Sequence, residues 1–238
     1  MTTNSWLRTI NICRYYHRGP QEVRALDGVS LAVERGEFLG IVGSSGSGKS
    51  TLLNLFAGLD TPTSGSVELE GVPLSSMSRR QLAAYRAHKV GMIFQSFNLI
   101  SHYTAQQNVE TALYFNGTPP KERHRRAAEV LEQLGLGERM THRPADLSGG
   151  EQQRVAVARA IVKKPETLFA DEPTGNLDFD NAQQIASLLT SLNHDGLTIV
   201  MVTHNLEMAQ ACAHRTIRMQ YGKVIEGISA KLPGGKQL

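Results

Sequence analysis

Phe38-Leu39-Gly40-Ile41-Val42-Gly43-Ser44-Ser45-Gly46-Ser47-Gly48-Lys49-Ser50 decides the fold of this chain. An apolar run of strand length enters a glycine-rich loop that fits G-x-x-x-x-G-K-[ST], and a helix opens inside the loop and runs to Phe56 or Ala57. Glycines let successive backbone N–H groups point inward around phosphate oxygens. The helix N-terminus adds its partial positive charge. Lys49 is placed to reach the β- and γ-phosphates of a nucleotide, and the Ser50 hydroxyl to bind Mg²⁺. Gly43, Ser44, Ser45, Gly46, Ser47, Gly48, Lys49, Ser50 and the adjoining Thr51 are therefore the candidate phosphate-binding residues. A plain glycine-rich turn would not ask for a strand on one side and a helix on the other.

Working outward, short apolar runs alternate with turn residues on the N-terminal side: Leu7–Ile12, Val29–Val33 and Val67–Leu69, with turns at Arg35-Gly36, Thr61-Pro62 and Glu70-Gly71. The middle third changes to helical spacing over Arg79–Ala87 and Arg123–Leu134, with Gly135 as a natural stop, so residues 95–146 are expected to form a mostly helical insertion. The last third alternates again. A helix from Gly149 ends before Pro165, then come a strand Leu168–Ala170, a helix near Ala182–Leu192, a strand Thr198–Thr203 and a helix near Leu206–Ala213. A closing hairpin, Ile217–Gln220 and Val224–Ile225, turns at Tyr221-Gly222. Strands separated by helices predict an α/β fold with a mainly parallel sheet.

Composition sets bounds. The 238 residues are 40% hydrophobic and 20% charged, enough for a real core, and the formal net charge of +3 is too mild to argue for nucleic acid. Lys121 to Arg126 reads as a solvated helix face. The two cysteines, Cys13 and Cys212, have neither metal nor redox spacing. No stretch approaches the ~20 apolar residues of a membrane span, and the N-terminus lacks an apolar core of signal-peptide length. The chain is expected to be cytoplasmic, with any membrane role supplied by a partner.

Two further segments carry chemistry. Leu168-Phe169-Ala170-Asp171-Glu172 is an apolar strand ending in two carboxylates. Asp171 takes the role of the acid that holds Mg²⁺ beside a phosphate loop. Strand residues alternate faces, so Glu172 need not share that task if the strand continues through it; an adjacent carboxylate could accept a proton from an attacking water. The second segment is Leu147-Ser148-Gly149-Gly150-Glu151-Gln152-Gln153-Arg154. Ser148 and Glu151 make a capping box, yet a capping box does not ask for two glycines, which cost about 1 kcal/mol each against alanine. They are useful where a ligand must touch the backbone, and a bare helix N-terminus beside a serine hydroxyl is an anion site.

Leu147–Arg154 closely resembles the signature sequence of the ATP-binding-cassette (ABC) ATPases, and the other motifs agree in order and spacing: Gly43–Ser50, Gln95 in GMIFQSFN, Phe169–Asp178, and His204 in VTHN. The resemblance covers nearly the whole chain. It implies a P-loop ABC-ATPase fold in one domain, with a core and N-terminal antiparallel β subdomain over 1–94 and 147–238 and a helical subdomain over 95–146. It implies Tyr16, or alternatively Tyr15, stacked on adenine; Gln95 joining Mg²⁺ and the attacking water, with Ser50 and Asp171 as the other metal ligands; Glu172 as catalytic base; His204 on the γ-phosphate; and Asp178 at a dimer interface. Ser148, Gly149 and Gly150 would meet the ATP held by a second copy, so that two ATP molecules hold a head-to-tail homodimer which hydrolysis releases.

Three stretches, Gly58–Gly65, Phe94–Leu99 and Ala170–Asp178, are similar to one bacterial group: the lipoprotein-release and macrolide-exporter ATPases, with the cell-division ATPase FtsE nearby. The resemblance implies a separate transmembrane permease subunit and a peripheral place on the cytoplasmic face of the inner membrane, with no nucleic acid as partner. Two positions depart from the group: Asn205 follows His204 where Asp is usual, and Gln220-Tyr221-Gly222 replaces a more usual Asp-Gly turn.

Overall fold

The computed structural model describes residues 5–229. They fall into two compact units, one of residues up to Leu82 together with those from Leu189 on, the other Ala83–Leu188.

The first unit holds two sheets. The antiparallel one runs in the order β2-β1-β4-β5, with β1 Leu7–Arg18, β2 Gln21–Val33, β4 Ser64–Leu69 and β5 Val72–Pro73. The other contains β3 (Phe38–Val42), flanked in parallel by β8 (Thr198–Thr203) and β9 (Arg215–Gln220), with β10 (Lys223–Ser229) closing an antiparallel hairpin on β9. Every residue of β3 and β8 is buried. That is why both read as unbroken apolar runs rather than as alternation, and both occupy the residues that the sequence predicts. Helices α1 (Lys49–Phe56) and α7 (Leu206–Cys212) belong to this unit.

β1 and β2 are 12 and 13 residues long, about twice the apolar runs that signal them. The extra halves pair with each other, Arg14 with Leu26, Tyr15 with Arg24, Tyr16 with Val23 and His17 with Glu22. Ladder hydrogen bonds and cross-strand contacts sustain this exposed ribbon, so hydrophobic patterning leaves no trace of it.

The second unit contains β6 (Val90–Ile93) and β7 (Thr167–Asp171), paired in parallel, with helices α3 (Ala105–Tyr114), α4 (Pro120–Gln133) and α5 (Gly149–Ile161). Two further helices cross the boundary between the units, α2 (Arg79–His88) and α6 (Phe179–His194). β6 escapes the sequence reading because it is four residues long and follows α2 after only Lys89. α3, α4 and α5 share one core: Ala105, Val109 and Leu113 at helical spacing, Ala127 and Leu131, and Val155, Ala158 and Val162. Gly135 ends α4 as predicted. Its N–H donates to the Glu132 carbonyl and the Leu136 N–H to the Leu131 carbonyl, the double bond of a Schellman stop. Thr104 and Gln107 form a capping box at the start of α3, a T-x-x-Q signal legible in the sequence but not used.

Candidate functional site

The phosphate loop leaves β3 at Val42 and enters α1 at Lys49. Gly48 is the N-cap, in a left-handed conformation with φ 99° and without a side-chain cap, so the first-turn N–H groups of α1 stay available to an anion. The loop is braced from behind by parts of the chain far away in sequence. A Cβ at Gly43 would fall 2.4 Å from the Met219 carbonyl oxygen at the end of β9, and one at Gly48 would fall 2.3 Å from the Ala25 carbonyl oxygen on β2. The Gly222 N–H of the closing turn donates to the Ser47 carbonyl at 3.1 Å, and the Gly222 carbonyl accepts from Asp27 N–H at 2.9 Å. Tyr221 holds a left-handed φ of 47° in this turn with its ring exposed. The aromatic that departs from the usual Asp-Gly pair is thus accommodated by backbone strain, with its side chain outside the packing.

This packing separates two kinds of glycine. At Gly46, φ is 76° but nothing lies within 4 Å of a would-be Cβ. Gly46→Ala is therefore expected to cost only the conformational term, about 1–2 kcal/mol. Gly48→Ala meets both a forbidden φ and a backbone oxygen, and is expected to lose more than about 3 kcal/mol. Denaturant melts of the two variants check the difference; equal midpoints would show that the Ala25 brace gives way.

Inside the loop the Lys49 ammonium, nearly buried, donates to the Gly43 carbonyl at 2.8 Å and the Ser44 carbonyl at 3.0 Å. The charge is held in the cup by carbonyl dipoles, which a phosphate would outbid as a charged partner. In parallel register Thr203 of β8 lies opposite Val42, so exposed His204 leaves its strand at the level where Gly43 begins the loop. Asn205 next to it caps α7, its Oδ1 accepting from Met208 N–H at 3.0 Å. The exchange of Asp for Asn leaves the helix with a neutral cap of about equal quality.

Tyr15 and Tyr16 lie on opposite faces of β1 and enter different networks. The Tyr15 hydroxyl donates to Asp27 Oδ1 at 2.9 Å. The Tyr16 hydroxyl donates to Asp60 Oδ2 at 2.8 Å, and the Arg14 guanidinium lies 4.6 Å from the centre of the Tyr16 ring while pairing with the same carboxylate. Burial alone would raise the Asp60 carboxyl, but Tyr16, the Thr61 N–H and Arg14 outweigh it and hold Asp60 below the usual carboxylate range. Arg14 and Asp60, 46 residues apart, are side-chain neighbours of Tyr16 that the sequence by itself does not reveal.

In the second unit β7 ends at Asp171, and Glu172 turns out of the strand with φ 47°. The strand does not continue through Glu172, so its direction is set by a left-handed turn rather than by alternation. Ala170 lies opposite Ile93 in the parallel pair, so Gln95 and Glu172, each two residues further on, leave from the same end. Gln95 Nε2 is 3.3 Å from a would-be Cβ on Gly175, and the Glu172 Cβ is 3.5 Å from it. Asn176 Nδ2 donates to the Gln95 carbonyl at 2.8 Å. Gln153 of α5 is fully buried, and its amide donates to the Pro173 carbonyl. Gln153 and Asn176 lie inside motifs quoted from the sequence, which by itself assigns neither a role.

The capping box at α5 is present. Ser148 Oγ accepts from Glu151 N–H at 3.2 Å, and Glu151 Oε2 accepts from Ser148 N–H at 2.8 Å. The Ser148 N–H first, and then Arg139 at 2.9 Å, hold the Glu151 carboxyl below its ordinary range. The two glycines behind the cap differ. A Cβ at exposed Gly149 would meet nothing nearer than 3.7 Å; at buried Gly150 it would fall 2.0 Å from Asn181 Oδ1. Asn181 in turn donates from Nδ2 to both oxygens of Asp178, at 3.0 and 2.8 Å.

A phosphate loop between strand and helix, and a second strand that ends in paired acids, define a P-loop nucleotide hydrolase. The family model described as ABC transporter matches residues 26–175, and the chain belongs to that family. An "uncharacterized ABC transporter ATP-binding protein" of Thermotoga maritima is 48% identical over 227 residues, 94% of this chain and 95% of that protein. The macrolide export ATP-binding/permease protein MacB of Hyphomonas neptunium is 49% identical over 215 residues, 90% of this chain but 33% of its own length, so the chain spans a third of that relative. A dimeric ATP-binding cassette solved in a post-hydrolysis state with ADP and phosphate matches with a TM-score of 0.87 at 39% identity, over 94% of this chain and 99% of that one. The chain is an ABC-type ATPase, which binds ATP and hydrolyses it.

Proposed function

We propose that the chain is the ATP-hydrolysing subunit that powers a membrane ABC complex by ATP-driven head-to-tail dimerisation. The observation that carries this reading is the start of α5: a helix end capped by Ser148 and Glu151 whose Gly149 lies open to solvent. Such an end offers backbone N–H groups and a hydroxyl to the γ-phosphate of an ATP held by a second copy. In the bound copy Lys49 exchanges its loop carbonyls for the β- and γ-phosphates, and the loop N–H groups from Gly43 to Thr51 surround them. Tyr16, with Arg14 on one ring face, offers the other face to adenine. Glu172 accepts the proton of the attacking water, Gln95 orients that water, and His204 contacts the γ-phosphate.

Mg²⁺ suits the donors assigned to it. The Ser50 hydroxyl, the Gln95 amide oxygen and the Asp171 carboxylate are all hard oxygen donors, and among the described residues no group of three or more His, Cys, Asp or Glu could hold a metal by itself. When bound, the ion neutralises phosphate charge; the water, the proton and the orientation remain the work of the side chains.

No helix among the described residues is long and apolar enough to cross a membrane. The name of MacB joins ATP-binding to permease in one chain, whereas the Thermotoga relative, covered over 95% of its length, is named for ATP binding. The names support a permease as partner; that it is a separate polypeptide, and that this chain sits on the cytoplasmic face of the inner membrane, is part of the proposal. Affinity purification of the tagged chain from detergent-solubilised membranes is expected to recover a membrane subunit. ATPase activity stimulated by nucleic acid or ribosomes, without membrane association, would reject the proposal.

A further inference from the structure

Gly150 carries two burdens of which the dimer reading explains one. A backbone N–H that meets a partner's phosphate does not by itself require glycine, and Gly149 has room for a side chain. Gly150 does not: a Cβ would lie 2.0 Å from Asn181 Oδ1 and 2.5 Å from its Cγ. The orientation of that amide is fixed. Its nitrogen donates to both carboxylate oxygens of Asp178, and its backbone N–H donates to Asp178 Oδ1 at 2.8 Å. An amide oxygen turned toward that carboxylate would be repelled, so the oxygen must face away from Asp178 and toward the α-hydrogens of Gly150. The Asn181 side chain, held by the Asp178 carboxylate that caps the start of α6, is thereby wedged against the start of α5. These residues all lie in the second unit.

We infer that Asn181 is a positioning residue that locks Asp178 to Gly150 within one chain, so that both elements meet a second copy as one rigid edge. The inference rests on the proposed ATP-driven dimer and adds the residue that aligns its two halves. Asn181 is not among the residues assigned to nucleotide, metal or the attacking water. It acts through Asp178 on one side and Gly150 on the other, and its loss loosens the helix starts while Arg154 still donates to Gln184 Oε1 at 2.9 Å further along α5 and α6. A single protomer binds ATP through its phosphate loop and has no use for this alignment; association of two copies does.

The test uses the full chain carrying Glu172→Gln, to hold ATP unhydrolysed, with and without Asn181→Ala or the isosteric Asn181→Asp. ATP affinity is measured below the dimerisation concentration, and the dimer constant by analytical ultracentrifugation in ATP. The expected result is unchanged monomer affinity and slightly lowered melting, with dimerisation weakened about tenfold or more in both variants. In the chain with native Glu172, ATPase activity of Asn181→Ala should fall at low protein concentration and recover at high concentration, which a damaged fold would not do. Gly150→Ala should harm dimerisation less when Asn181→Ala is also present, because the wedge is then absent and the nearest remaining side-chain atom of residue 181 is Cβ at 3.2 Å. Equal dimer constants with and without Asn181→Ala, in a parent that dimerises, overturn the inference alone. So does a loss of ATP affinity as large as the loss of dimerisation. A parent that stays monomeric in ATP overturns the dimer reading, and this inference with it.

Discussion

Glu172→Gln should bind ATP with native affinity and hydrolyse it about 10²–10⁴-fold more slowly, the range that a lost general base costs. The substitution keeps the size and hydrogen-bonding reach of the side chain and removes the ability to take a proton from water. The left-handed backbone at this position, φ 47°, treats Gln and Glu alike, so the fold is not taxed further. Because hydrolysis is the step proposed to release the pair, the variant should accumulate as an ATP-bound dimer. Single-turnover phosphate release and sedimentation in ATP read the two effects separately. A variant that turns over at the native rate would mean that another group takes the proton.

Ser148→Arg should leave ATP binding to the monomer intact and abolish ATP-dependent dimerisation, and with it nearly all hydrolysis. Ser148 is exposed at the N-terminus of α5, so the long side chain finds solvent in the monomer, and in the proposed dimer it would stand where the partner's ATP is to be met. Within the chain the loss is modest. Removing the hydroxyl that caps Glu151 N–H costs about 1 kcal/mol, and a cation at a helix N-terminus adds a few tenths to about 1 kcal/mol against the helix dipole. Neither is enough to unfold the domain. The measurement is titration of ATP onto dilute protein beside ultracentrifugation with ATP, and a stable dimer of the variant would sink the assignment of Ser148 to a site shared between copies. Ser148→Ala, which removes the cap without adding bulk, should weaken dimerisation to an intermediate degree.

Much of the fold was legible because its signals are local. β3 and β8 are buried on both faces, so they appear as five- and six-residue apolar runs whose ends match the structure. The box at α5 is legible because a helix start needs its N-cap and third residue paired, so Ser148 and Glu151 stand three apart in any such sequence. β6 was hidden because four residues without a flanking turn carry too little pattern, and half of the β1–β2 ribbon because its stability lies in pairing rather than in apolar side chains.

The sequence by itself determined the phosphate loop, the acid-ended strand, the capped glycine pair and hence the family, because each is a contiguous motif whose chemistry depends on spacing along the backbone. Only the tertiary structure decided what stands behind those motifs. Met219, Gly222 and Ala25 brace the phosphate loop; Arg14 and Asp60 hold Tyr16; a left-handed turn redirects Glu172; and Asn181 fills the space a side chain at Gly150 would need. Apart from Arg14, two residues from Tyr16, these partners lie 23 to 176 residues from what they support or, for Glu172, reside in a backbone angle. Close packing and hydrogen bonding select them by position in space, and distance along the chain leaves no periodic mark of that choice.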